Sequence, residues 1–374
     1  MRPTGDRRPA CQNQRVTSTL PPDHRANNLD VLRLVAAVLV VLTHSFAVVG
    51  LAEPAAVLNP AGGTWGGVGV LVFFSISGYL IAQSWHRDPS PGRYLLRRSS
   101  RIFPALAVMT VVTAAVLGPL TTDVSLRAYA SDPNTWLYPI VKTLLFVPGD
   151  VDPPGIFAGL PYDGVNPSLW TLPVEFACYT LLMVVLLLRL PPLWATGMLT
   201  LGAAALSVAA LWAWTPLAGL IGSALFGQVI LVVGTFFGGA LLFHLRDRVR
   251  LHPVGALVGA AAIVVAGLVP GGVALTPLLY PYVVLSIALA VPVLPLRWLR
   301  GWDLSYAIYL YGFPIQQLVV HLTGTDSPWV VLGLAMLLLV PIAALSWNLV
   351  EAPALRWARG RLARRPRQTQ SATA

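Results

Sequence analysis

The chain has 374 residues, of which 56% are hydrophobic and 11% charged, and its mean hydropathy is +0.70. A soluble globular protein carries about 25% charged residues, so this composition excludes a water-facing surface of the required size and puts the chain in a membrane. The net charge of +10 would suit a nucleic-acid partner by magnitude, but the cations fall in the gaps between apolar runs, and no nucleic-acid partner is expected.

Residues 1–27 are rich in Arg, Pro, Gln and Asp, with no apolar run before Leu29. They are expected to form a disordered basic cytoplasmic tail. No cleavable signal peptide is apparent, so the first apolar helix is expected to act as a retained signal-anchor. Stretches of spanning length, about 20 residues, occur at 29–50, 66–85, 101–120, 168–188, 193–214, 219–243, 253–270, 275–294, 303–322 and 328–350. The predicted fold is an all-α integral membrane protein of about ten transmembrane helices, with the 253–294 pair the weakest. With the N-terminus inside, 22 of the 25 cations fall in inner segments, leaving only Arg127 and Lys142 outside and Arg33 within the first span. That asymmetry follows the positive-inside rule, and it predicts cytoplasmic termini in a plasma-membrane protein.

The first span carries Arg33 near its start and His44 near its end. Eleven helical steps are three turns plus roughly 20°, with a rise of roughly 16 Å. The two side chains therefore share one face, half a bilayer core apart. Ionisable groups in such a run are costly and point to function; the plainer reading is a core histidine and a snorkelling arginine. A guanidinium at the inner mouth suits phosphate, and a neutral imidazole deeper in suits proton abstraction. A pantetheine arm is about as long as that rise, although other elongated anionic ligands fit equally.

The second span reads Gly66-Gly67-Val68-Gly69 through Ser75-Ile76-Ser77-Gly78, small residues that allow close helix contact. Packing is the favoured reading for Ser75 and Ser77. The next inner loop gathers Arg93, Arg97, Arg98 and Arg101, either for topology or as a docking patch for a phosphorylated donor. The outer connection 121–167 is Pro-, Asp- and Gly-rich, and its apolar part at 136–147 is too short to span. It is read as an interfacial or re-entrant segment, and the whole connection as a functional lid or a plain linker. Beyond it, Ser168-Leu169-Trp170-Thr171-Leu172 leads to Glu175, a second ionisable residue in an apolar run. Its most economical partner is His44, expected in the same outer half; the plainer reading is a Glu kept neutral or paired to a hydroxyl for stability, and Trp170 alternatively anchors the interface. Leu304-Ser305-Tyr306 to Tyr309 opens the ninth span. Glu351, at the inner end of the last span, is expected to partner the inner arginines, and the Arg-rich tail at 356–374 to be disordered. Cys11 and Cys178 have no spacing that suggests a disulfide framework or a metal site.

Taken in order, these motifs resemble acyltransferase family 3, the multi-pass membrane O-acyltransferases. The resemblance rests on Leu29-Asp30 with Leu32-Arg33 and His44, on Phe73-Phe74 with Ser77-Gly78-Tyr79, and on Arg97-Arg98 with Arg101-Ile102-Phe103-Pro104. It continues through Ser168-Leu169-Trp170 with Glu175, Ser305-Tyr306 with Tyr309-Leu310 and Phe313-Pro314, and Leu349-Val350-Glu351 with Pro353. It covers residues 28–355. It implies an acyl-CoA donor, commonly acetyl-CoA, as co-substrate with no tightly bound cofactor. The implied acceptor is a hydroxyl on an envelope glycan, glycolipid or glycosylated metabolite. His44 would act as general base or transient acyl carrier with Glu175 beside it. Arg33, Arg97, Arg98 and Arg101 would hold the donor, and Asp30, Ser77, Trp170, Ser305, Tyr306 and Tyr309 would support the acceptor side. Relatives often have a histidine where this chain has Gly312, and some carry an extra hydrolase-like domain, so a stand-alone transferase is expected. Abundant Arg, Ala, Gly and Pro with a single lysine, Lys142, point to a GC-rich bacterial genome. The rival function is a proton-coupled secondary transporter using His44 and Glu175 as a relay. It leaves the arginine patch and the ordered motifs unexplained. A non-catalytic lipid- or partner-binding protein is the third reading.

Overall fold

The structure is a computed structural model describing residues 27–54, 63–145, 151–162, 164–211, 224–294 and 302–363. The N-terminal tail to residue 26, the loop cations Arg297 and Arg300, and the last eleven residues lie outside them. Among the described residues the helices are α1 (Leu29–Ala47), α2 (Trp65–Arg87), α3 (Pro91–Thr121), α4 (Leu126–Ser131) and α5 (Pro133–Thr143). They continue as α6 (Thr171–Leu187), α7 (Pro192–Leu211), α8 (Ala224–His244), α9 (Pro253–Gly267), α10 (Thr276–Ala290), α11 (Ser305–Thr323) and α12 (Pro328–Ala363). No strand occurs among those residues, only an isolated bridge between Thr122 and Ile156.

Among the described residues, each of the ten apolar stretches overlaps a helix, and 8 helices are long and apolar enough to cross a membrane. The two that fall short do so for different reasons. Helix α9 has 15 residues, about 22 Å, against a hydrocarbon core of about 30 Å. Helix α11 has 19 residues but carries Gln316, Gln317 and three tyrosines, and it is buried along most of its length. It packs against α1 and α12. Its amide groups bond to protein, with Gln316 Nε2 donating to the Val41 carbonyl and to Ser45 Oγ, both at 2.7 Å. Polar side chains at membrane depth are tolerated on such an inward-facing helix.

Helix α2 is the centre of the packing, with α1 on one side and α8 on the other. A β-carbon at Gly69 would overlap the Ala36 carbonyl of α1. One at Gly78 would overlap the Phe236 carbonyl of α8, and one at Gly239 would overlap the Ser75 carbonyl in return. Lipid supplies no hydrophobic force between helices, so close van der Waals contact at small residues holds them together. Ser75 fits that packing reading: it is buried and its hydroxyl donates to its own helix at the Leu71 carbonyl, 2.7 Å away. Ser77 does not, and turns into the site described below.

Helix α3 has 31 residues, about 46 Å, so it outruns the bilayer core and carries its arginines at the projecting end. There Asp88 receives Arg93, and Arg97 at 2.7 Å. The Arg93 hydrogen bonds, helped by Arg97 and opposed by burial, hold the Asp88 carboxyl below its usual range. In the 121–167 connection, α5 is an 11-residue helix with Trp136 and Ile140 exposed and Tyr138 buried. That is about two and a half turns too short to span, as expected. At the other end, the part of the expected disordered tail that is described, up to Ala363, is helical. The chain passes through a π-turn at Trp347–Glu351 and stays helical to Ala363. Ala358 is buried and this part of α12 packs on α3, and alanine, leucine and arginine are strong helix formers.

Because Gly78 faces main chain, Gly78→Leu is expected to destabilise the bundle by at least about 3 kcal/mol, the upper end of overpacking costs. Gly92→Leu, with nothing within 4 Å, should stay within about 0.5 kcal/mol. Thermal unfolding in detergent, followed by the monodisperse fraction on size exclusion, measures both.

Candidate active site

Arg33 and His44 face two different chambers. Arg33 lines one of about 80 Å³, together with Ser77, Arg98, Arg101, Thr171, Glu175, Tyr179, Ser305 and Tyr306. His44 lines another of about 1000 Å³, with Thr43, Gly66, Gly67, Ser168, Trp170 and Gln228. Val70 and Tyr309 line both, so the chambers meet at those two side chains. The shared helical face read from the sequence therefore becomes two rooms along one wall.

The arginine-lined chamber is organised by Asp303. Its carboxylate takes Arg101 in a short ion pair, Arg33 at 3.9 Å and the Ser305 hydroxyl at 2.6 Å. Tyr306 donates to the Ile102 carbonyl at 2.8 Å and lies under the Arg101 guanidinium, 5.9 Å from ring centroid to Cζ. Asp30, 59% exposed, reaches Arg33 at 3.9 Å and lines neither chamber. Arg98 differs from its neighbours. Its Nε, like that of Arg97, is buried without a hydrogen-bond partner, but its guanidinium lies 6.0 Å from the Tyr179 ring rather than on a carboxylate. No carboxylate pairs with it among the described residues. A charge left uncompensated in this way is costly until an anion arrives, and a guanidinium fork suits phosphate or carboxylate. Arg97, one residue earlier and about 100° around the helix, is turned to Asp88 and does not line the chamber.

Glu175 accepts hydrogen bonds from Ser77 Oγ at 3.0 Å and from the Tyr179 hydroxyl. The expected pairing with His44 is not present. Its physical reason is the approach to α6. Pro167–Trp170 forms a 3₁₀ turn, begun by Asn166, whose side chain accepts from the Ser168 N–H. A 3₁₀ turn rises about 2.0 Å per residue. It leaves Ser168 and Trp170 in the histidine-lined chamber and carries Glu175 past the junction into the other one. Tyr309 closes that junction: its hydroxyl donates to the Ser168 carbonyl at 2.8 Å and shares a 2.6 Å hydrogen bond with Thr171, while its ring sits edge-on to Phe73.

The His44 imidazole makes no hydrogen bond to any described residue. Its ring is held edge-on by Phe313 at 5.1 Å, and Phe313 is in turn packed by Tyr162 at 4.9 Å. The imidazole nitrogens are thus open to whatever occupies the large chamber. Gly312 lets α11 approach α1, since a β-carbon there would lie 3.2 Å from Val41 Cγ2. Glu351, expected to pair with the arginines, instead accepts the Ser346 hydroxyl at 3.0 Å and forms no ion pair among the described residues.

Three residues of the site escaped the sequence reading. Asp303 stands two residues before Ser305, and an acidic residue at the edge of an apolar run was a legible signal. Tyr179 lies four residues after Glu175 on α6, a spacing that brings side chains together. Thr171 carried no such mark, because its role depends on a tyrosine from another helix.

The acyltransferase domain family model matches residues 26–347. The chain is 30% identical over 342 residues to an O-acetyl transferase of Shigella phage Sf6, covering 88% of this chain and 96% of that protein. It is likewise 30% identical over 375 residues to nodulation protein 10 of Rhizobium leguminosarum bv. viciae, covering 91% and 96%. No solved structure matches. A family match over most of the chain, relatives aligned over nearly their whole length and a bundle of membrane-spanning helices agree: the chain belongs to acyltransferase family 3 and is a multi-pass membrane acyltransferase.

Proposed function

We propose that the enzyme moves an acetyl group from acetyl-CoA to a hydroxyl of an envelope glycan, glycolipid or glycosylated metabolite, at a plasma membrane with both termini cytoplasmic. The observation that carries this reading is the pair of chambers strung along α1, arginine-lined at Arg33 and histidine-lined at His44, meeting at Val70 and Tyr309. The phage relative's description as an O-acetyl transferase supports acetyl as the group.

In this reading Arg98, with no counter-ion among the described residues, takes a donor phosphate, and Arg33 and Arg101, oriented by Asp303, flank it. Arg97, occupied by Asp88, is left a structural part. Glu175, held by Ser77 and Tyr179, lies along the pantetheine arm and accepts one of its amide N–H groups, so it serves the donor side. The thioester reaches the junction with the acceptor hydroxyl on the far side, next to His44. The imidazole takes the hydroxyl proton as the oxygen attacks the carbonyl carbon. The new C–O bond forms, the C–S bond breaks, and the proton passes to the departing thiolate, releasing the free thiol. In the second route, an imidazole nitrogen attacks first and carries the acyl group before the hydroxyl takes it. A burst of thiol release before ester formation distinguishes that route.

Mass spectrometry of acyl groups on envelope glycans and secreted glycosides tests the reading. Cells with the intact protein should show an ester mass shift that is absent without it and reduced at least about 100-fold by His44→Ala, the low end for a general base. Identical profiles in all three overturn it. With purified protein, Arg98→Gln should raise KM for acetyl-CoA about tenfold to a hundredfold, the worth of a hydrogen bond to a charged group, while Arg97→Gln leaves it within about threefold. Glu175→Gln should act through donor KM and leave the pH profile of kcat in place. A shift of that profile would show that Glu175 tunes His44 after all.

A further inference from the structure

The donor chamber is about 80 Å³, room for roughly five to eight water-sized groups, whereas the chamber beyond is about 1000 Å³. The change of bore happens on one stripe of α2. Gly66 and Gly67 present no side chain to the large chamber, Val70 is the first branched residue below them that lines a chamber, and Phe73 and Phe74 thicken the wall of the small one. These positions follow one another at helical spacing. The facing wall is Tyr309, whose hydroxyl is fixed by Ser168 and Thr171 and whose ring is braced on Phe73 at 5.8 Å. A side chain tied at both ends cannot swing aside for a longer ligand.

Resting on the acyl-transfer reading above, we propose that Val70 and Tyr309 form the gauge for the acyl chain, passing acetyl and rejecting longer groups. A donor anchored at the arginines has to bring its carbonyl to this junction to meet a hydroxyl beside His44, so the acyl tail lies between these two side chains when transfer occurs. A rigid pocket wall discriminates one methylene by about 10- to 200-fold in kcat/KM. Val70 is a specificity-determining residue here and takes no part in the proton transfers.

The test is internal competition. Purified enzyme in liposomes is given a glycan and glycolipid extract of the expressing cells with equimolar acetyl-, propionyl- and butyryl-CoA, and product esters are weighed by mass spectrometry. Product ratios then report relative kcat/KM whatever fraction of the enzyme is active. The parent should make acetyl esters almost exclusively. Val70→Ala should raise the butyryl-to-acetyl ratio at least about tenfold, and Val70→Leu should lower propionyl further. Should Val70→Ala fail to fold, the opposite shift in Val70→Leu still decides. Unchanged ratios in variants that make product overturn the gauge and leave acyl transfer standing. A folded Val70→Ala that makes no ester also overturns it, because a wider passage cannot exclude a shorter chain. If the parent makes no ester from any of the three donors, the acyl-transfer reading fails first and the gauge falls with it.

Discussion

One carboxylate, Asp303, holds guanidinium groups from two separate helices, Arg33 of α1 and Arg101 of α3. The arrangement at this end of the bundle depends on it. Two like charges brought to one chamber repel each other, and a low-dielectric surround strengthens that repulsion. A shared counter-ion turns the repulsion into a three-membered clamp with fixed directions. Ser305 adds a donor to the same carboxylate, so the start of α11 is pinned where α1 and α3 come together. Arg98 is left outside the clamp, and its free charge is what gives the chamber a net appetite for an anion.

The second constraint is the closeness of α2 to both neighbours. Its glycines at 69 and 78 let carbonyl groups of α1 and α8 sit where side chains would otherwise be. A third face of the same helix, running from Gly66 through Val70 to Ser77, lines both chambers. The small residues thus have two separate uses. Those between helices, Gly66 against Thr43 of α1 among them, set interaxial distance, and Gly67 lies on the wall of the large chamber. A composition count cannot separate the two, since both appear as a glycine-rich apolar run.

Much of this was legible in the residues. Apolar length identified the helices, and the eleven-residue spacing of Arg33 and His44 put both on the site-facing side of α1. What the sequence could not supply was which helix faces which. Glu175 and His44 are both ionisable residues in apolar runs, so economy paired them. The 3₁₀ turn at Pro167–Trp170 and the hydroxyls of Ser77 and Tyr179 gave Glu175 other partners. Arg97 and Arg98 looked equivalent as letters, yet one helical step sends them to opposite surroundings. Asp303 was passed over because a single acidic residue between spans looks like a loop, until two arginines are found on it. The helix beyond Glu351 was missed because an arginine-rich ending suggests solvent, although its residue types favour helix and Ala358 has a neighbour to pack on.

Helix α11 also bears on how the protein comes to be built. Its glutamines and tyrosines make it a poor candidate for holding a place in lipid by itself, and it is shielded by protein along most of its length. In the order of synthesis α1, which supplies the Val41 and Ser45 partners for Gln316, reaches the membrane almost three hundred residues earlier. The cleft that accepts α11 has one wall standing before the helix leaves the ribosome, and α12, long and apolar enough to cross a membrane, follows at once to close the other. The helix least suited to lipid is thereby the one that waits least for shelter.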